Sequence, residues 1–217
     1  MGTALSSRIL VPTLRLIASN LSQRYDTQPV FSGLDFVLGN GQALVVTGTN
    51  GSGKSTLLRT IAGLMRPSDG AIALEGGAEG ASIAEQCHLI GPLDAVKPEL
   101  TARENLTQWA GVLGIGSTAR VGDALRRLGL ERFADMPAVV LSTGWRRRLA
   151  LARALVAPRP LWLLDEPTAA LDLNASKLVS DIIRQHLEEG GLAVIATHLE
   201  LGLEGVQALE LAVAARA

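Results

Sequence analysis

The residues Gly48-Thr49-Asn50-Gly51-Ser52-Gly53-Lys54-Ser55 fit the spacing G-x-x-x-x-G-K-[ST], the pattern of a phosphate-binding loop. Glycines at 48, 51 and 53 let backbone N–H groups curl around an anion, and a helix starting just after them adds partial positive charge. In such a loop Lys54 reaches the β- and γ-phosphates of a nucleoside triphosphate and the Ser55 hydroxyl ligates Mg²⁺, so the loop predicts ATP and Mg²⁺ as ligands. Asn50, Ser52 and Thr56 lie within or directly beside it and join the nucleotide-contacting set. Two further stretches carry chemistry. Leu161-Trp162-Leu163-Leu164 runs into the paired carboxylates Asp165-Glu166, and Leu192-Ala193-Val194-Ile195-Ala196-Thr197 runs into His198. Ligands of parallel α/β sheets bind at the carboxyl ends of strands, where Asp165 can hold hydrated Mg²⁺, Glu166 can face an attacking water, and His198 can touch a γ-phosphate.

These residues need elements to hold them, and the apolar pattern supplies them. Ala43-Leu44-Val45-Val46-Thr47 reads as a short buried strand before the loop, and the residues from Thr56 read as a helix that stops at Gly63. Upstream, residues 13–18 partly alternate and 30–38 read as a strand, so an antiparallel β layer is expected ahead of the loop. Tyr25 precedes that layer, where its ring can stack on a nucleotide base or serve only the packing. Residues 71–75 and 87–90 are further strand candidates. Cys87-His88 sits inside an apolar run, where adjacent side chains point to opposite faces, and so reads as buried strand rather than a ligand pair. Thr101 and Glu104 form a capping box before a helix carrying Leu106, Trp109, Ala110 and Leu113, and Gly114 and Gly116 break it. A second helix with Val121, Ala124, Leu125 and Leu128 follows, so residues from about 100 to 135 form an all-helical insert. After Ser142 a helix opens with Arg146-Arg147-Arg148, expected as a solvated or interface-facing start. Asn174 is expected to cap the long helix that carries Leu178, Val179, Ile182, Ile183 and Leu187.

The whole chain narrows the classes. Its 217 residues suit one domain, 47% hydrophobic and 19% charged residues describe a globular profile, and a net charge of −1 argues against a nucleic-acid-coating role. No apolar run approaches the roughly 18 residues a membrane helix needs, so membrane association is expected through partners. The single Cys87 fits a reducing compartment. The pattern Met1-Gly2-Thr3-Ala4-Leu5-Ser6 matches a myristoylation motif too short to carry weight.

Phosphate loop, Leu141-Ser142-Thr143-Gly144-Trp145, Asp165-Glu166 and His198, in this order, make the chain resemble the ATP-binding subunits of ABC transporters over nearly its full length. The resemblance implies an α/β fold: a P-loop NTPase (RecA-like) core, an N-terminal antiparallel β subdomain and an inserted α-helical subdomain. It implies a single ATP-binding domain over 1–217, with a core at about 13–98 and 158–217 and a helical subdomain at 99–157. It also implies that Ser142 and Gly144 bind the ATP held by a second copy and that Ala170-Leu171-Asp172 crosses the dimer interface. The assembly is then a head-to-tail homodimer around two ATP molecules. Within the family, residues 91–106 look most like the subunits that serve bacterial cytochrome c maturation by haem export. That similarity implies integral membrane partners and a peripheral position on the cytoplasmic side of the inner membrane. Three positions depart from the family pattern: Leu93 stands where a glutamine is usual, Trp145 replaces a glutamine, and Thr143 replaces a small residue. Lys54, Ser55, Asp165, Glu166 and His198 are intact, which keeps the expectation of an ATPase, with slow or partner-dependent turnover. An ABC ATPase for another cargo such as lipid or peptide, and a regulatory module with incidental hydrolysis, are the alternatives that the residues leave open.

Overall fold

The computed structural model describes residues 13–91, 95–114 and 118–212. Leu93, Gly116 and the motif at 1–6 lie outside the described residues.

Two sheets organise the chain. Strands β1 (Arg15–Tyr25) and β2 (Gln28–Gly39) pair antiparallel through a tight turn at Asp26, whose φ is 51°. Strand β3 (Ala43–Thr47) then leaves this layer for a second sheet, and helix α1 (Lys54–Ile61) follows it. The chain returns as β4 (Asp69–Glu75), which pairs with the free side of β1 and completes the order β2-β1-β4. Helix α1 is thereby bracketed. Its buried Leu57, Leu58 and Ile61 share one core with Leu16, Leu21 and Leu38 of the antiparallel layer and with Leu44, Val46, Leu163 and Val194 of the second sheet.

That second sheet is parallel, in the order β5-β6-β7-β3-β8, where β5 is Cys87–Ile90, β6 Leu161–Asp165, β7 Leu192–Ala196 and β8 Gln207–Glu210. A parallel sheet covered on both faces needs apolar residues at every position, which explains the unbroken runs in β6 and β7. Leu161, Leu163, Leu192 and Val194 face α1, whereas Trp162, Leu164, Ala193 and Ile195 belong to the core on the other face. That opposite core is built with α3 (Ala102–Val112), α4 (Thr118–Arg127), α5 (Thr143–Val156) and α6 (Leu173–Glu188). A short helix α2 (Ile83–Gln86) leads into β5.

The Thr101 capping box is present: the Glu104 amide donates to Thr101 Oγ1 at 3.1 Å and the Thr101 amide to Glu104 Oε2 at 2.8 Å. Two local expectations are corrected. Helix α6 is capped by Asp172, whose Oδ1 accepts from the Ala175 amide at 2.7 Å, rather than by Asn174, because the backbone is already helical from Leu173 and Asn174 lies exposed in the first turn. Of the two readings of the arginine run, solvated or interface-facing, the solvated one fails at Arg147. Arg147 is 4% exposed, and Arg148 lies over the Trp145 ring at 4.2 Å, because the start of α5 is pressed against the ends of the parallel strands and the insert.

Two histidines are buried in this framework. His88 on β5 donates through Nε2 to the Ala157 carbonyl at 2.5 Å, and His186 on α6 stacks on Trp162 with ring centroids 3.9 Å apart. Burial pushes each down to about 4, opposed by the hydrogen bond to a backbone carbonyl. Their neutral forms support the fold fully above the ordinary histidine value near 6.5. That support is lost as pH falls from there towards 4, because the unfolded chain takes up protons first. The expected result is a drop in unfolding free energy of roughly 3 kcal/mol from His88 alone between pH 7 and pH 4. Urea melts of wild type and His88→Gln across this range check it, and parallel slopes with pH would count against the assignment.

Candidate functional site

The loop after β3 turns through three positive-φ glycines, Gly48 at 140°, Gly51 at 84° and Gly53 at 100°. A side chain at Gly48 would collide with the Leu211 carbonyl and Ser52, and one at Gly53 would collide with Val30, so neither position accepts a Cβ. Gly53 is the residue before α1, and the first-turn amides of the helix have no side-chain cap. The loop therefore presents unpaired N–H groups and the positive end of a helix to one point. Gly51 has open space where a Cβ would stand, and Ser52 Oγ is buried without a partner. A phosphate group suits both the space and the surplus of donors.

Lys54 is 8% exposed, its ammonium donating to the carbonyls of Gly48 at 2.6 Å and Thr49 at 3.2 Å. His198, just past the end of β7, places Nε2 3.1 Å from Lys54 Nζ, 3.3 Å from Asn50 Oδ1 and 3.5 Å from Glu166 Oε1. Ser55 donates to Asp165 Oδ2 at 2.6 Å, joining the start of α1 to the end of β6. Glu166 Oε2 accepts from the Thr197 hydroxyl at 3.3 Å. Lys54, Ser55, Asp165, Glu166 and His198, separated by up to 144 residues, thus converge at the carboxyl ends of β3, β6 and β7. The Ser55 hydroxyl and the buried Asp165 carboxylate are hard oxygen donors, two in number, which suits Mg²⁺ completed by waters and phosphate oxygens. Tyr25 is half exposed at the end of β1, with its hydroxyl 3.5 Å from Thr56 Oγ1, which puts the ring beside the first turn of α1.

Glu166 has φ 49°, a left-handed conformation that costs a residue with a Cβ about 1–2 kcal/mol. Its peptide is held on both sides: the amide donates to the Ala196 carbonyl at 2.8 Å, and the carbonyl accepts from Arg147 at 2.8 Å. Neither Arg147 nor Thr197 is among the site residues named from sequence. Thr197 had a usable signal, standing between a buried strand and His198, whereas Arg147 had none, because its position beneath β6 is set by tertiary packing.

Ser142, Gly144 and Asp172 lie elsewhere. With Trp145, Arg148 and Leu171 they line a pocket of about 420 Å³ that shares no residue with the phosphate loop. Ser142 caps α5 by accepting from the Trp145 amide at 3.4 Å, and a Cβ on Gly144 would come 3.1 Å from the Ala170 carbonyl. The 142–145 turn and the 170–172 loop therefore pack as one surface.

Residues 31–169 match a family model described as ABC transporter, and the chain belongs to that family as an ATP-hydrolysing subunit. It is 49% identical over 175 residues (81% of this chain, 87% of the relative) to the cytochrome c biogenesis ATP-binding export protein CcmA of Bradyrhizobium diazoefficiens. It is 48% identical over 199 residues (91% and 98%) to the protein of the same name from Chelativorans sp.. Among solved structures, a putative ABC transporter ATP-binding protein from Pyrococcus furiosus superposes with a TM-score of 0.78 at 26% identity, covering 91% of this chain and 97% of that one. The ATP-binding cassette MJ0796, described as dimeric and bound to ADP and Pi, superposes with a TM-score of 0.74 at 25% identity over 85% and 88% of the two chains. Among the described residues no helix is long and apolar enough to cross a membrane.

Proposed function

We propose that this chain drives an export step in the biogenesis of c-type cytochromes, with haem as cargo of the complex, by hydrolysing ATP between two copies of itself. The observation that carries the hydrolytic part is the meeting of Lys54, Ser55–Asp165, Glu166 and His198 at one sheet edge. The similarity to proteins named for cytochrome c biogenesis export, over 91% of this chain in one case, supports the pathway.

In this reading the loop amides from Gly48 to Thr56, with Asn50, Gly51, Ser52 and Gly53 forming the cradle, bind the phosphates, and Lys54 releases its hold on Gly48 and Thr49 to meet the β- and γ-oxygens. Tyr25 stacks on the base. Ser55 and Asp165 would hold Mg²⁺, which would supply positive charge against the triphosphate. Glu166 orients a water for attack on the γ-phosphorus and accepts its proton, and His198 fixes the γ-phosphate and keeps Glu166 aligned. Ser142, Gly144 and Asp172 serve the other copy. Since their pocket shares nothing with the phosphate loop of the same chain, a head-to-tail pair is what completes each site, and one copy alone turns over poorly. Closing on two ATP molecules and reopening after hydrolysis moves integral membrane partners, with the chain peripheral on the cytoplasmic side of the bacterial inner membrane. The unit is a single domain, its helical part spanning about 99–157.

Deleting the gene and staining membranes for covalently attached haem tests the pathway. Loss of c-type cytochromes, restored by the wild-type gene but not by Lys54→Ala, is the expected result. Undiminished holocytochrome would remove the haem assignment and leave the ATPase standing.

A further inference from the structure

Buried guanidinium groups are rare and need a reason, and three of the carbonyls that Arg147 bonds among the described residues point to one. Its Nη1 donates to the Gly91 carbonyl at 2.5 Å, and its Nη2 donates to the carbonyls of Asp165 and, at 2.8 Å, Glu166. Gly91 follows β5 and Asp165 closes β6, so these are carbonyls at the ends of paired strands, where the ladder has run out. Buried carbonyls need donors, and only a planar fork with several N–H groups reaches oxygens on two strands at once.

From this geometry we infer that Arg147 is the positioning residue for Glu166, tying the first turns of α5 to the carboxylate end of β6. Glu166 sits in a left-handed conformation, and Arg147 holds the carbonyl side of that peptide while Ala196 holds the amide side. With the guanidinium gone, the Glu166 carbonyl keeps only the Ala169 amide at 3.1 Å, a donor from its own loop, and loses its tie to α5, so the backbone relaxes with that loop and the carboxylate shifts away from Thr197 and His198. Arg147 stands little more than one helical turn from Ser142, the residue that caps α5. A shift of the Ser142 turn therefore reaches Glu166 through the Arg147 side chain, beside the packing of Gly144 on the Ala170 carbonyl. Because the inference rests on Glu166 acting in hydrolysis, its test must separate the two ideas.

Arg153 provides the internal control. It lies on the same helix, is 7% exposed, donates to the Leu89 carbonyl at 2.8 Å and covers the Trp109 ring at 4.5 Å, so it is equally buried but bonded to the middle of β5. The experiment compares wild type, Arg147→Gln, Arg147→Lys, Arg153→Gln and Glu166→Gln as full-length protein. It measures steady-state turnover, affinity for a fluorescent ATP analogue, and amide hydrogen exchange of residues 163–169 without nucleotide. Arg147→Gln is expected to lower kcat between about tenfold and a hundredfold with affinity within about twofold of wild type. It should also speed exchange at 163–169, with Arg147→Lys intermediate. Arg153→Gln is expected to lower the melting temperature while keeping kcat and that exchange pattern. Equal loss of kcat in the Arg147 and Arg153 variants, or wild-type kcat in both Arg147 variants, overturns the positioning role. Wild-type kcat in Glu166→Gln overturns the hydrolytic reading beneath it. Should Arg147→Gln fail to fold, Arg147→Lys carries the comparison alone.

Discussion

Glu166→Gln is expected to lower steady-state ATP turnover by about three orders of magnitude while nucleotide still binds, the size of effect produced when a positioned proton acceptor is removed. The substitution is close to isosteric, and the amide oxygen can still accept the Thr197 hydroxyl that now bonds Glu166 Oε2 at 3.3 Å. What disappears is the capacity to take a proton from water. On the proposed two-copy reading, copies loaded with ATP are expected to close and stay closed, so gel filtration of Glu166→Gln with ATP and Mg²⁺ should show a dimer, and wild type less of it. Ordinary turnover by this variant would sink the role given to Glu166.

Lys54→Ala is expected to weaken ATP binding about a hundredfold, near 2.7 kcal/mol, the scale of charge-assisted bonds to phosphate oxygens. In the nucleotide-free chain this ammonium also braces the loop through the Gly48 and Thr49 carbonyls, so its loss removes both the charge and part of the frame. Titration with a fluorescent ATP analogue reads the effect, and turnover should vanish with it. A variant that binds ATP as tightly as wild type would mean that the loop amides alone hold the phosphates. Hydrolysis in wild type that vanishes in Lys54→Ala also separates an ATPase from a module that merely docks when ATP is present.

The two residues differ in how plainly the sequence declares them. Lys54 lies in a local pattern whose backbone geometry is dictated by glycines a few positions away, and such patterns survive without knowledge of the rest of the fold. Asp165-Glu166 and His198 were legible for a related reason: each ends an unbroken apolar run, and parallel strands put their ends on one edge. The Thr101 capping box was equally local. Legibility failed where a residue's setting depends on distant packing. Three consecutive arginines read as a solvated or interface-facing helix start because charge is usually at the surface, yet Arg147 is drawn inward by carbonyls 18 to 56 residues away in sequence. Asp172 and Asn174 are both good caps by type, and the choice between them turned on where the backbone becomes helical. Strand β8 went unread because Gln207–Glu210 is a short edge strand, only half buried, with little apolar signal. The sequence also gave no sign that β4 crosses back to the antiparallel layer, since both sheets accept residues of that character.

The position of β3 has a consequence for how the protein is made. The strand that delivers the chain into the phosphate loop lies between β7 and β8, so both of its neighbours are contributed by residues 192–210. While a ribosome is still translating the middle of the message, this strand has no lateral partner at all, and Gly48 lacks the Leu211 carbonyl that crowds it in the finished fold. A nascent or prematurely terminated product short of residue 192 accordingly lacks the strands that brace the loop after β3, and is expected not to compete for ATP.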